Sequence, residues 1–284
     1  MSSVLPYIGL MSRPFLKMNG LGNDFVVVEA RSAPFAPSPE QVRAIASREG
    51  GIGCDQLIAI ERSSNADAFM RIWNADGQEV SACGNATRCV GWLLMEAAQG
   101  SRASIETRAG LLHASRGPVA GSVTVDMGQP GLDWRDIPMS EDMDTRGVEL
   151  QIGPIDAPLL HTPGCVSMGN PHVVFFVPDA ATAPVREMGP IIEHHMLFPE
   201  GVNVGFAEIQ GRDRIRLRVW ERGAGETKAC GTGACAALVA AHRRGLVDAS
   251  ATIQLDGGEL FIDWRQDDHV LMTGPAAVEF TGHL

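Results

Sequence analysis

The 284-residue sequence has no apolar run long enough to span a membrane. Its longest strictly apolar stretch, Ala234 to Ala241, is eight residues, against the roughly 20 that a spanning helix needs. It also lacks any long basic run and carries a net charge of −11, which makes nucleic acid and anionic membrane poor partners. The N-terminus has no Lys or Arg ahead of its first apolar patch, and Pro6 and Gly9 interrupt that patch, so it makes a poor signal peptide. Met11 offers a second start, which would make residues 1–10 an extension. None of the six cysteines forms a Cys-x-x-Cys pair, which argues against a disulfide framework or a zinc ribbon and for a cytoplasmic enzyme with reduced thiols. No low-complexity tract, no pyridoxal-phosphate-type lysine and no nucleotide-binding glycine loop is evident, because Gly20-x-Gly22 runs into a strand-like segment rather than a helix. No cofactor and no metal are expected. What is present is 45% hydrophobic and 20% charged residues, enough to build real cores in about two domains' worth of chain.

Two copies of one unit lie in this chain. Residues 71–84 (RIWNADGQEVSACG) align without a gap on 218–231 (RVWERGAGETKACG), with six identities in fourteen at an offset of 147. The same offset lays Gly22-Asn23-Asp24-Phe25-Val26-Val27 on Gly169-Asn170-Pro171-His172-Val173-Val174, and Gln56 on Asn203. Three separated blocks at one offset predict two pseudo-symmetric α/β (α+β) domains, each a sheet wrapped around a central helix. The expected bounds are 11–130, rejoined by 275–284, and 131–274, with 127–144 as the connection and a catalytic cleft between the halves. Phe25–Glu29, Val173–Val177, Ala68–Trp73 and Ile215–Trp220 read as strands. Apolar residues after Cys83 and after Cys230 recur at helical spacing until Gly100 and Gly245. The small residues of the second helix predict burial on nearly all sides.

Cys83 and Cys230 thus open equivalent helices. A thiol at a helix start meets unpaired N–H groups and the positive end of the macrodipole, which lowers its pKa. Two facing thiols suit removal of a proton from one face of a carbon and delivery to the other, the chemistry of a racemase or epimerase. Charge developing on the substrate carboxylate needs donors, and the backbone of Gly84-Asn85 and Gly231-Thr232 supplies candidates. Asn23, Gln56, Asn74, Asn170, His172, Asn203, Glu221 and Arg222 recur beside the same turns and read as cleft lining. Of these, His172 and Glu221 are placed to set a thiol's ionisation, and Arg222 to pair with a carboxylate or to hold a domain-stabilising ion pair. Cys54, Cys89, Cys165 and Cys235 read as buried structural residues.

The stretches 17–25 (KMNGLGNDF), Gly53-Cys-Asp-Gln56, 73–77 (WNADG), Cys83-Gly-Asn85 with Arg88-Cys89, Gly169-Asn-Pro-His172, Gly201-Val-Asn203, Glu221-Arg-Gly223 and 229–233 (ACGTG) resemble the diaminopimelate epimerase family, in order, from about residue 13 to the C-terminus. Ala86-Thr87 and Cys54 depart from its usual pattern. The resemblance implies a pyridoxal-phosphate-independent isomerase that interconverts L,L- and meso-diaminopimelate for lysine and peptidoglycan precursor synthesis. Cys83 and Cys230 would be its acid/base thiols, with His172 and Glu221 assisting. By the same resemblance Gly84, Asn85, Gly231 and Thr232 would hold the reacting carboxylate. Asn23, Asn74, Asn170, Asn203 and Arg222 would hold the distal end, with Gln56 also at the site. A homodimer is implied. The alternatives are a proline-type racemase of the same fold, a phenazine-type isomerase, a thiol hydrolase using His172, and a redox sensor joining Cys83 to Cys230. The amides and Arg222 weigh against the first, the cysteine pair against the second and the otherwise unexplained second cysteine against the third, while a Cys83–Cys230 bond reads as a side reaction that gives inactive enzyme.

Overall fold

A computed structural model describes residues 13–81 and 83–284. The readings of residues 1–10 and of a start at Met11 therefore lie outside the described residues. Two compact units are present, 13–115 with 276–284, and 116–275.

In the first unit, β1 (Pro14–Asn19) and β2 (Asp24–Glu29) form an antiparallel pair. The turn between them is closed by Leu21 (φ 69°) and Gly22 (φ 80°). Helix α1 (Pro39–Ala46) begins at a Ser38/Gln41 capping box, which satisfies two of its orphan N–H groups. Strand β3 (Gln56–Glu61) runs parallel to β2 and antiparallel to β4 (Ala68–Asn74). Next come β5 (Glu79–Val80), helix α2 (Gly84–Ala98), β6 (Arg102–Thr107) and β7 (Gly110–Arg116). The C-terminal strand Ala277–His283 pairs antiparallel with β1. Val26, Val28, Leu57, Ala59 and Trp73 pack with Val42 and Ala46 of α1 into one core. Helix α2 ends on Gln99 in the left-handed region (φ 50°), one residue before the glycine that the sequence suggested. Gly100 then donates its N–H to Met95 O.

The second unit contains β8 (Ser122–Asp126), β9 (Gln151–Ile152), β10 (Leu160–His161), β11 (Gly164–Ser167), β12 (Pro171–Phe176), α3 (Val185–Glu193), β13 (Asn203–Gly211), β14 (Arg214–Glu221), β15 (Gly225–Thr227), α4 (Gly231–Arg243), β16 (Ser250–Leu255), β17 (Gly258–Trp264) and β18 (Val270–Pro275). Residues 127–144 belong to this unit, where Ile137 and Met139 enter the core. Helix α4 packs against β11–β14 and β16–β18, and every residue from Gly233 to Ala241 is buried. Its short side chains make this possible. At Gly164, an added Cβ would lie 2.9 Å from the Ala240 Cβ, so the neighbouring strand runs almost on the helix surface.

The repeat is visible in the strand registers. Phe25 faces Gln56, as His172 faces Asn203. Leu57 faces Trp73, as Val204 faces Trp220. Ala68 is level with Ile105, whereas Ile215 is level with Ile253. The offset is therefore 147 up to the helices and 148 beyond them. Both units are mixed α/β and carry a helix entered through a cysteine.

Candidate active site

In the first unit, Cys83 is the N-cap of α2, with extended φ/ψ, and Gly84 and Asn85 are the first helical residues. Their N–H groups belong to the set that a helix start leaves without intrahelical acceptors. Thr87 secures the cap by donating both its N–H and its hydroxyl to Cys83 O, at 2.9 and 2.8 Å. The Cys83 thiol is half-buried and lies 4.0 Å from Asn23 Oδ1. That oxygen points to the sulfur because the amide's other end, Nδ2, donates to Asp55 Oδ2 at 2.7 Å. Asp55 is itself held by Arg48 at 2.7 Å, and Arg48 also grips Asp24 at 2.9 Å. Lys17 donates to Asp24 at 2.6 Å and to Gly53 O. Burial opposes ionisation of Asp24, but hydrogen bonds from Arg48 and Lys17 outweigh it and hold the carboxyl well below the usual range. Level with each other on adjoining strands, Gln56 donates to Asn74 Oδ1 at 2.9 Å. Gln56 Oε1 is buried and accepts from no described residue. Asn85 accepts at Oδ1 from Arg88 Nη1 at 2.9 Å.

In the second unit, Cys230 is likewise the N-cap of α4, with extended φ/ψ, but it is only 4% exposed and, unlike Cys83, caps through its side chain. Its sulfur accepts from Gly233 N–H at 3.3 Å and lies 3.6 Å from the Thr232 hydroxyl. A directed chain leads to it. His172 is fully buried and pushed down to about 3, by burial first and then by the Arg222 charge, so the ring is neutral at ordinary pH. Its Nε2 lies 3.1 Å from Asn170 Oδ1, and Asn170 Nδ2 donates to Thr232 Oγ1 at 3.3 Å. With its oxygen accepting from Asn170, Thr232 turns its own proton to the sulfur, and the network assigns the Nε2–H tautomer to His172. Glu221, at the end of β14, takes a hydrogen bond from Thr227 and sits beside Cys230. Burial pushes the Glu221 carboxyl up.

The helix-start argument predicts a lowered thiol pKa, and for Cys230 the structure shows the reverse. Burial first, and then the Glu221 carboxylate, push this thiol well up. A dipole contribution of about 0.3–1 kcal/mol is too small to offset full desolvation. Cys54 and Cys89 are likewise raised by burial, to about 11 and about 12, and Cys165 is raised as well. Together with buried Cys235, these are core residues. Asn203 is braced by backbone: Nδ2 donates to Pro171 O at 2.8 Å and Oδ1 accepts from Arg222 N at 3.0 Å, which leaves one N–H and one lone pair of its amide for a further partner. It therefore anchors the turn that carries the exposed Arg222, whose guanidinium donates to Glu200 O at 2.9 Å. No sequence signal marks a role for Asp55, Thr227, Gly233 or Arg88. Asp55, Arg88 and Gly233 stand inside motifs of the family resemblance, but nothing local marks what they reach.

A family model described as diaminopimelate epimerase matches residues 15–132 and 164–279. The chain belongs to the diaminopimelate epimerase family. It is 66% identical over 276 residues to a diaminopimelate epimerase of Phenylobacterium zucineum, covering 96% of this chain and 98% of that one. Membership of the diaminopimelate epimerase family makes it an isomerase. Among solved structures, a Bacillus anthracis phenazine biosynthesis protein of the PhzF family superposes with TM-score 0.69 at 16% identity, covering 97% of this chain and 99% of that chain. A hydroxyproline epimerase from Agrobacterium vitis gives TM-score 0.68 at 17% identity, covering 96% and 91%. At these identities the likeness is one of fold.

Proposed function

We propose that this isomerase interconverts L,L- and meso-diaminopimelate by a two-base mechanism, in lysine and peptidoglycan precursor synthesis. The observation that carries this reading is the pair of cysteines capping equivalent helices in one repeated strand register. One thiolate takes the α-proton, breaking C–H and forming S–H. The electron pair passes into the α-carboxylate, where the N–H groups of Gly84, Asn85, Gly231 and Thr232 stabilise the added charge. The opposite thiol then delivers its proton to the other face of the carbon and becomes the thiolate. The carbon is inverted and the two sulfurs have exchanged protonation states.

On this reading Cys230 starts as the acid when Cys83 is the base, because burial and Glu221 favour its protonated form. Once it has given up the proton, Gly233 N–H and Thr232 O–H are already aimed at the sulfur. The orphaned Gln56 Oε1 suits a substrate ammonium, a donor that would complete its hydrogen bonding. Asn23, Asn74, Asn170 and Arg222 supply further polar contacts for a distal amino-acid end, and His172 fixes Asn170. Asn203 places Arg222 and offers the remaining N–H and lone pair of its amide to the same end. The reading also includes a homodimer, and a cytoplasmic location in keeping with thiol chemistry.

The test is incubation of the reduced protein with L,L-diaminopimelate in D2O, without added pyridoxal phosphate or metal, followed by NMR. The expected result is meso product carrying deuterium at the inverted carbon. Exchange on a different amino acid instead would retain the two-thiol chemistry and discard the substrate. Inversion without solvent deuterium, or no exchange on any amino acid, would discard the mechanism.

A further inference from the structure

Arg88 is 0% exposed and among the largest fully buried side chains of the chain. A guanidinium can only donate, so Nη1 at 2.9 Å claims the carbonyl oxygen of Asn85. The Asn85 NH2 group is thereby turned to the opposite side of the amide. Nη2 donates to Gly20 O at 3.2 Å, which ties the start of α2 to the β1–β2 turn that carries Asn23. At Gly20, an added Cβ would lie 3.1 Å from Asn85 O and 3.5 Å from Arg88 Nη2. Turn and helix start are therefore in direct contact, and the missing side chain allows it.

We propose that Arg88 is a positioning residue for the Cys83 half of the reaction, fixing Asn85 as a donor and placing a permanent positive charge behind the first turn of α2. The assignment rests on the two-base reading above. An arginine stays protonated in proteins, and a buried charge is little screened by salt. Cys89 experiences both the Arg88 cation and the Cys83 charge, so all three act within one stretch of helix. Behind Asn23, which reaches the Cys83 sulfur, stand further charged groups: Lys17 on β1, Asp24 on β2, and Arg48 and Asp55 ahead of β3. These are two cations and two carboxylates that bond one another. At the repeat position in the second unit stands Cys235, so the device belongs to one half only.

Arg88→Met keeps the volume and removes the charge. In this variant, shown to be folded by circular dichroism, kcat should fall about 10²-fold with little change in KM, as for loss of a transition-state donor. In a Cys230→Ala background, the pH midpoint for alkylation of Cys83 should rise by about one unit when Arg88 is replaced. Arg88→Lys should keep that midpoint near the parent value yet lower kcat at least about tenfold, since it retains the charge and loses the fork. On an Asn85→Ala background, Arg88→Met should cost less than it does alone. A folded Arg88→Met enzyme with parental kcat and an unmoved midpoint overturns the proposal. So does equal loss in both backgrounds with an unmoved midpoint, which marks a purely structural role. If the Met variant does not fold, Arg88→Lys decides alone, and normal turnover there overturns the proposal. Failure of the parent to epimerise would remove the functional reading, while the alkylation midpoints would still measure the Arg88 charge.

Discussion

Cys83 caps its helix half-buried, with Asn74 at the end of the neighbouring strand and a buried arginine one turn into the helix. Cys230 caps its helix almost fully buried, with Glu221 in the place of Asn74 and Cys235 in the place of Arg88. Backbone register and the place of the cysteine as N-cap are common to both units; the Cys230 sulfur also accepts from its own helix, which that of Cys83 does not, and the sign of the nearby charge is reversed. On the two-base reading proposed above, a duplicated scaffold supplies one thiol at the same register position of each unit, and single neighbouring side chains would favour Cys83 as the base and Cys230 as the acid. The asymmetry that such chemistry needs would lie in the neighbours of the thiols.

The most severe test of this comparison is removal of either thiol. Cys83→Ala and Cys230→Ala should each lower epimerisation by about 10²–10⁴-fold, while the thiol that remains still exchanges the α-proton of one stereoisomer with D2O. Exchange of both stereoisomers by one variant would show that the halves are not specialised by face. A finer test is Glu221→Gln, which removes the charge that raises Cys230. The alkylation midpoint of Cys230, followed in a Cys83→Ala background, should move to lower pH, and turnover should fall about 10²-fold. An unmoved midpoint would mean that burial alone sets this thiol.

Smaller effects follow from the hydrogen-bond chain. Thr232→Val removes the hydroxyl between Asn170 and Cys230 and should lower kcat about tenfold, the scale of one hydrogen bond of about 1.4 kcal/mol. The last effect concerns stability rather than rate. The His172 pKa is depressed on folding to about 3 from its ordinary 6.5, so below pH 6.5 the unfolded chain binds a proton that the folded one refuses. Stability should fall by about 1.4 kcal/mol per pH unit as pH drops from 6.5 toward 3. His172→Gln should flatten that limb in urea titrations at pH 4 to 7. Equal slopes in the two proteins would show that His172 does not set the acid sensitivity over this range; Asp24, whose carboxyl is held low, gives up its contribution only below its unfolded value of 3.8.

The strands and helices beside the site were legible because alternation, helical spacing and matched motifs are local signals repeated twice. The register pairs Phe25–Gln56 and His172–Asn203 follow from the same offset. Less legible were interactions whose partners are far apart in the chain, such as Arg88 with Gly20. At Asn203 the residue type and repeat position suggest a ligand contact, whereas the backbone bonds that brace its amide at Pro171 and Arg222 become visible only in the fold. The acidity of Cys230 was misjudged because the helix start is visible in sequence, whereas near-complete burial and the approach of Glu221 depend on tertiary packing.

The burial of α4 bears on how the two halves can be observed. Its residues from Gly233 to Ala241 offer no surface, whereas Glu96 to Gln99 at the far end of α2 are exposed. A fluorophore or spin label can be attached to the first helix a few turns from its thiol without touching the core. In the second unit the stretch from Gly233 to Ala241 accepts no such label, and information on it comes from isotopes in the protein itself, such as a carbon-13 methyl on Ala237 or Ala240. A label that reports on the body of the first helix has no counterpart in the body of the second, so pairing the two kinds of probe is the way to follow both units under turnover conditions.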